Sequence, residues 1–284
     1  MNLSVLRTRS DEPVPTAGSQ VITVFSPKGG VGKTFMAVSI AVTVAKRGRR
    51  KVLLCDMDLD SGDVGVHLDL AESVSINDLL PYCQDMRPEV MAKFVVRHAA
   101  SGVDVIMAPS RPELSEFVRA DVVGHLIDGA RRTYQCIVID TPPSADCDLV
   151  YECLEKSDTQ LLVVTQDLAC LRQARTSLEL LRRLGVNVKE RTYTVVNAYR
   201  HKSILSARKI SDFLGVGDVL IVTDDRDTVE RSILDGSPAV LGARGTQVSK
   251  DAETAGSVAA NLLLEPTQEP KSRFRLPGKG RLRW

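Results

Sequence analysis

A short apolar run, Val21-Ile-Thr-Val-Phe25, leads directly into Ser26-Pro-Lys-Gly-Gly-Val-Gly-Lys-Thr34, and an Ala-, Val- and Ile-rich stretch then continues to Lys46. This segment constrains the fold more than any other. The apolar run reads as a buried strand and the later stretch as a buried helix. The glycines between them let successive backbone N–H groups converge on one point, at the positive end of the helix dipole. Such a turn cradles phosphate oxygens. Lys33 would reach the terminal phosphates of a nucleotide, and the Thr34 hydroxyl would ligate Mg²⁺.

The rest of the chain repeats the alternation. Strands are expected at Lys51–Cys55, Val103–Met107, Cys136–Ile139, Gln160–Thr165, Thr192–Val196 and Val219–Val222. Helical spacing runs through Pro88–Ala99, Ala120–Arg132, Leu149–Lys156, Leu168–Leu184, Ile204–Phe213, Asp227–Asp235 and Asp251–Leu264. This order predicts an α/β fold, a mostly parallel twisted sheet with helices on both faces. A polar leader over 1–19 reads as disordered, one domain as spanning 20–264, and 265–284 as a linker with a basic tail.

Lys28-Gly-Gly-Val-Gly-Lys-Thr34 resembles the deviant Walker A loop of the MinD/ParA family of P-loop ATPases. The resemblance covers about residues 20–264 and implies ATP and Mg²⁺ as ligands. It implies that Lys28, Gly29, Gly30, Val31, Gly32, Lys33, Thr34 and Phe35 surround the phosphates. It also implies that Lys28 crosses a dimer interface to phosphates held by a second subunit. Phe35 stands where many members carry Thr or Ser, leaving backbone N–H groups to meet the α-phosphate.

Two carboxylate segments extend the resemblance. Val52-Leu-Leu-Cys-Asp-Met-Asp58 is similar to the family's switch I, which assigns Asp58 to orienting the attacking water and puts Asp56 near the metal. Ile137-Val-Ile-Asp-Thr-Pro-Pro143 is similar to a Walker B strand entering switch II. Asp140 would then hold Mg²⁺ through water, and Thr141-Pro-Pro143 would sense the γ-phosphate. Lys28, Lys33 and Asp58 form the implied catalytic set. Val195-Val-Asn197 and Ile221-Val-Thr-Asp-Asp225 resemble the adenine-binding strand end and loop, pointing to Asn197, Thr223 and Asp224.

The resemblance implies slow, partner-stimulated ATP hydrolysis by an ATP-bound homodimer that positions something in the cell. Asp58-Leu-Asp-Ser-Gly-Asp-Val-Gly-Val-His-Leu-Asp-Leu70 looks like the pilus-associated CpaE/TadZ subgroup and, in layout, like MinD. The alternatives are a ParA-type partitioning ATPase on non-specific DNA and a non-hydrolysing scaffold. A DNA-binding patch would draw on Arg172, Arg175, Arg182 and Arg183. Iron–sulfur carriers are disfavoured because none of the six cysteines forms a C-x-x-C pair. Bacterial tyrosine kinases with this loop carry a Tyr-rich tail, and 271–284 contains no Tyr.

Charge adds a partner. Lys and Arg total 37 against 36 Asp and Glu, yet Lys271, Arg273, Arg275, Lys279, Arg281 and Arg283 face no acid in the tail, so the body is net acidic. Arg273, Phe274, Arg275, Arg281 and Trp284 mix cations with apolar groups, suiting an anionic membrane surface. Nucleic acid is the less favoured partner. With no signal peptide and no apolar run long enough to span a bilayer, a cytoplasmic protein is expected, peripheral at the inner face of the membrane.

Overall fold

The computed structural model describes residues 18–262 apart from 72, 84, 145 and 146. The expected leader before residue 18 and the tail with Arg273, Phe274, Arg275, Arg281 and Trp284 lie outside the described residues. Along the chain run β1 (Gln20–Phe25), α1 (Lys33–Arg47), β2 (Val52–Asp56), α2 (Val64–His67), α3 (Ile76–Leu79), α4 (Pro88–Met91), β3 (Val96–His98) and β4 (Val103–Ile106). There follow α5 (Ala120–Ala130), β5 (Cys136–Asp140), α6 (Asp148–Glu155), β6 (Thr159–Val164), α7 (Leu168–Arg183), α8 (Val188–Arg191) and β7 (Thr192–Tyr199). Last come α9 (Ala207–Leu214), β8 (Leu220–Thr223), α10 (Arg226–Leu234), α11 (Ala239–Gly242) and α12 (Gln247–Ala259).

Among the described residues these strands form one eight-stranded sheet in the order β3-β4-β2-β5-β1-β6-β7-β8. Neighbours are parallel except β3 and β4. Strand alternation divides the core between two faces. Ile22 and Val24 of β1 pack with α1, α7 and α12, whereas Val21 faces the layer containing α5. Thr23 also points to that second layer, where its buried hydroxyl donates to the Cys153 carbonyl at 3.1 Å. Helices therefore cover both faces, as the α/β reading requires.

Two expected helices are corrected. The Pro88–Ala99 segment keeps helix only at Pro88–Met91, and Val96–His98 becomes the antiparallel edge strand. Its β-branched Val96 favours extended backbone and pairs with Val105, while Arg97 pairs with Asp104. An ion pair of 2.8 Å between Arg97 and Asp104 fixes that register. The turn closes at Gly102, whose φ of +78° suits glycine. The last helix starts at Gln247 rather than Asp251, because the Thr246 side chain caps it by accepting from the Ser249 N–H. It ends at Ala259, short of Leu264, with Asn261 in the left-handed region at φ +50°.

α12 lies close against α1. A methyl group at Gly256 would stand 3.2 Å from both the Ile40 Cα and the Thr43 Cβ, so the missing side chain sets the interhelical distance. No helix among the described residues is long and apolar enough to cross a membrane.

Candidate functional site

The chain leaves β1 for β2 on one side of the sheet and later enters β6 on the other. Loops at the carboxyl ends of the strands diverge there and open a crevice, the usual ligand position in such sheets. A cavity of about 510 Å³ occupies it, a size suited to a nucleotide.

The loop after β1 forms its floor. Gly32 caps α1 at φ +91°, and a Cβ there would fall 2.2 Å from the Asn197 side-chain nitrogen. Only glycine meets both demands. No acidic residue and no side-chain cap occupies the first turn of α1. Its N–H groups and the helix dipole thus remain available to an anion. Gly29, Gly30, Gly32, Lys33, Thr34 and Phe35 all line the cavity. Lys33 is buried, and Phe35 adds an apolar wall without a hydroxyl. Val31 is buried, and its carbonyl accepts from the Asn197 amide at 2.9 Å.

The carboxylates sit in two layers. Asp58 lines the cavity, half-buried; burial raises its pKa, and the nearby Lys33 opposes the rise. Asp56 and Asp140 lie deeper, in register on β2 and β5, and neither lines the cavity. Asp56 accepts from the N–H groups of Asp58 at 3.3 Å and Val64 at 3.1 Å. It thereby shapes the loop containing Asp58. Burial, then the charge of Asp140, lifts its carboxyl well above the usual range.

Asp140 is fully buried, and neither of its carboxylate oxygens has a hydrogen-bond partner among the described residues. Burial pushes its carboxyl up to about 7, while the Thr34 hydroxyl and the Lys33 ammonium pull the other way without completing a bond to it. A buried carboxylate with orphaned oxygens beneath a threonine hydroxyl is a fit for a hydrated cation. Thr34 and Asp140 would hold Mg²⁺ there, with Asp56 as a charged neighbour. No cluster of three or more His, Cys, Asp or Glu ligands occurs among the described residues. Mg²⁺ does not require one, since phosphates and water complete its shell.

Thr141 is fully buried and donates its hydroxyl to the Val24 carbonyl at 2.9 Å. Of the expected phosphate-sensing segment, Pro143 is the residue that reaches the cavity, beside Gly29. Thr223 and Asp224 line the opposite wall. The Thr223 N–H and hydroxyl are both held by Asp251 of α12, at 3.0 and 2.6 Å.

Lys28 stands apart. It does not line the cavity, and its ammonium pairs with Asp167 at the N-cap of α7, 2.7 Å away. The sequence reading missed several wall residues. Asp63 and His67 come from the loop into α2 and from α2 itself, and Arg226, Glu230 and Ile233 come from α10. They carry no motif; packing of α2 beside α10 assembles them. Burial holds the His67 imidazole below its usual pKa.

Comparisons with known proteins bear on the family and the fold. Residues 19–191 match the family model described as an AAA domain. A ParA family ATPase from Chlorobium tepidum superposes with a TM-score of 0.77 at 24% identity, over 84% of this chain and 98% of that one. The septum site-determining protein MinD of Pyrococcus horikoshii, solved with Mg-ADP, gives 0.72 at 19% identity over 84% and 95%. Among curated proteins, a putative tyrosine-protein kinase EpsB from Ralstonia nicotianae is 26% identical over 205 residues, or 70% of this chain. This chain spans only 26% of that kinase's length. With a phosphate loop at the sheet's switch point and a buried acid on the adjoining strand, the chain belongs to the AAA-domain family and shares the fold of the ParA and MinD ATPases.

Proposed function

We propose that this protein is a nucleotide-switched ATPase that dimerises around ATP and serves intracellular positioning of a septum site, a secretion or pilus assembly, or a cell pole. The observation carrying the reading is the place of Lys28. It sits on the rim, outside the cavity of its own chain, where a second copy can bring it to the partner's phosphates.

Within one subunit, Lys33 and the first turn of α1 neutralise and orient the phosphates. Asp58, whose raised pKa makes it a better base than a surface carboxylate, orients the water that attacks the γ-phosphorus. Mg²⁺, held by Thr34 and Asp140, would supply positive charge to the phosphates. Asn197 holds the floor in shape and, with Thr223 and Asp224, borders the nucleoside end. Lys28 from the second copy completes the positive charge, so turnover is slow until dimers form and an activating protein stabilises them. The protein acts in the cytoplasm, with the tail as its contact to the inner membrane face.

The DNA-partitioning alternative draws on the α7 arginines. Arg175 is already paired with Glu179 at 3.3 Å and stacked over Phe213, which weakens that patch. The test compares wild type with Asp58→Ala for phosphate release and, with a hydrolysis-resistant ATP analogue, for mass in solution. The reading requires wild-type turnover that rises with protein concentration, lost in the variant, and analogue-dependent dimers in both. Equal, negligible turnover in both, or monomers at saturating analogue, would overturn it.

A further inference from the structure

A second cavity, of about 380 Å³, lies at the far end of α1. Roughly 20 Å of helix separates it from the phosphate loop, given the rise per residue. Lys46 and Arg47 enter it from the last turn of α1, and Arg244 enters from the segment after α11. Glu253 of α12 is the acidic member of the lining, and it is committed to Arg47 at 2.6 Å. Lys46 and Arg244 have no ion-pair partner among the described residues.

Basic residues at a helix C-terminus ordinarily need no ligand, because they complement the dipole. One observation goes beyond that explanation. Arg244 belongs to a different element yet converges on the same cavity, leaving three cations from two elements around a single acid. Val42 and Val240 supply apolar wall, against which charge-assisted hydrogen bonds gain strength.

We propose that this cavity binds a phosphate group carried on a small polar body, with Lys46 and Arg244 as its cationic contacts and Arg47 held in place by Glu253. The volume exceeds what bare phosphate fills, which points to a phosphate ester of glycerol size. Two sources share that chemistry: a soluble glycerophosphate and the headgroup of an anionic phospholipid. The Arg50 guanidinium donates to the Ala260 carbonyl, and Leu262 packs on Gly48, so the last described residues lie against the segment that follows α1. The site shares α1 and α12 with the nucleotide cavity, which Val248 of α12 also lines.

The experiment uses the full chain saturated with Mg²⁺ and a hydrolysis-resistant ATP analogue, so that the phosphate loop is filled. Glycerol 3-phosphate is titrated calorimetrically into wild type and Lys46→Ala/Arg244→Ala. Saturable binding by wild type is expected, weakened about tenfold or more in the double variant. Basal ATP turnover should stay unchanged in the double variant. In parallel, both proteins and a chain lacking residues 271–284 are sedimented with phosphatidylglycerol or phosphatidylcholine vesicles. Loss of phosphatidylglycerol retention in the double variant assigns the site to a lipid headgroup. Glycerophosphate binding with equal vesicle retention assigns it to a soluble ester. Absence of glycerophosphate binding, together with vesicle retention that responds only to deletion of residues 271–284, would overturn the site.

Discussion

The Lys28 ammonium and the Asp167 carboxylate stand 2.7 Å apart, joining the phosphate loop to the N-cap of α7 within one chain. The contact raises the pKa of Lys28 and lowers that of Asp167. A lysine reaching toward a second subunit must first leave this partner. Asp167→Asn keeps a side chain that caps helices well and removes the charge. Analogue-dependent dimerisation is expected to tighten about two- to fivefold, a modest gain because both groups are solvent-exposed. Sedimentation equilibrium of the variant against wild type checks this; weaker association in the variant would mean that Asp167 serves the dimer instead.

Asp140 makes a pH prediction. Its folded-state pKa is raised to about 7 by burial, so the protonated form is the one that folding favours. The stability that this provides is full in acid and is lost as pH rises through about 7. Asp140→Asn removes the titration. The nucleotide-free variant should be more stable than wild type near pH 8, by about 2–4 kcal/mol, with the gap closing toward pH 4. Thermal unfolding across pH measures it. Turnover supported by Mg²⁺ should meanwhile fall at least a hundredfold, since the cation loses its buried carboxylate.

Gly32 carries two constraints, its φ of +91° and its approach to Asn197. Gly32→Ala imposes a left-handed alanine, costing about 1 kcal/mol, and displaces the Asn197 amide from the Val31 carbonyl. Nucleotide affinity should drop more than tenfold while far-ultraviolet circular dichroism stays unchanged. Adding Asn197→Ala removes the clash, so the double variant should bind better than Gly32→Ala alone. Equal affinity in the two would show that strain, and not the clash, dominates.

The α1–α12 contact offers a stability test with an internal control. Gly256→Val must displace Ile40 or Thr43 and should cost about 1–3 kcal/mol. Gly217 has no atom within 4 Å of where a Cβ would sit, so Gly217→Ala should stay within about 0.5 kcal/mol of wild type. Urea denaturation of the two variants gives the comparison.

What the amino-acid order determined is whatever depends on neighbours along the chain. The strand-loop-helix from Val21 to Lys46 could be read because its glycines, lysine and apolar periodicity act locally, and Cys136–Ile139 could be read because the body of a fully buried parallel strand is apolar. The α/β class followed from that alternation. Tertiary structure decided the rest. Val96–His98 became a strand only because β4 offered backbone partners, which outweighed a helical spacing. Asp56 and Asp140, 84 positions apart in the numbering, repel one another because sheet register aligns them. His67, Arg226 and Glu230 reached the nucleotide cavity through the meeting of α2 and α10, and Arg244 reached Lys46 through the packing of α11 and α12 on α1. Local periodicity encodes which face of an element is buried; it does not encode which distant element will cover that face.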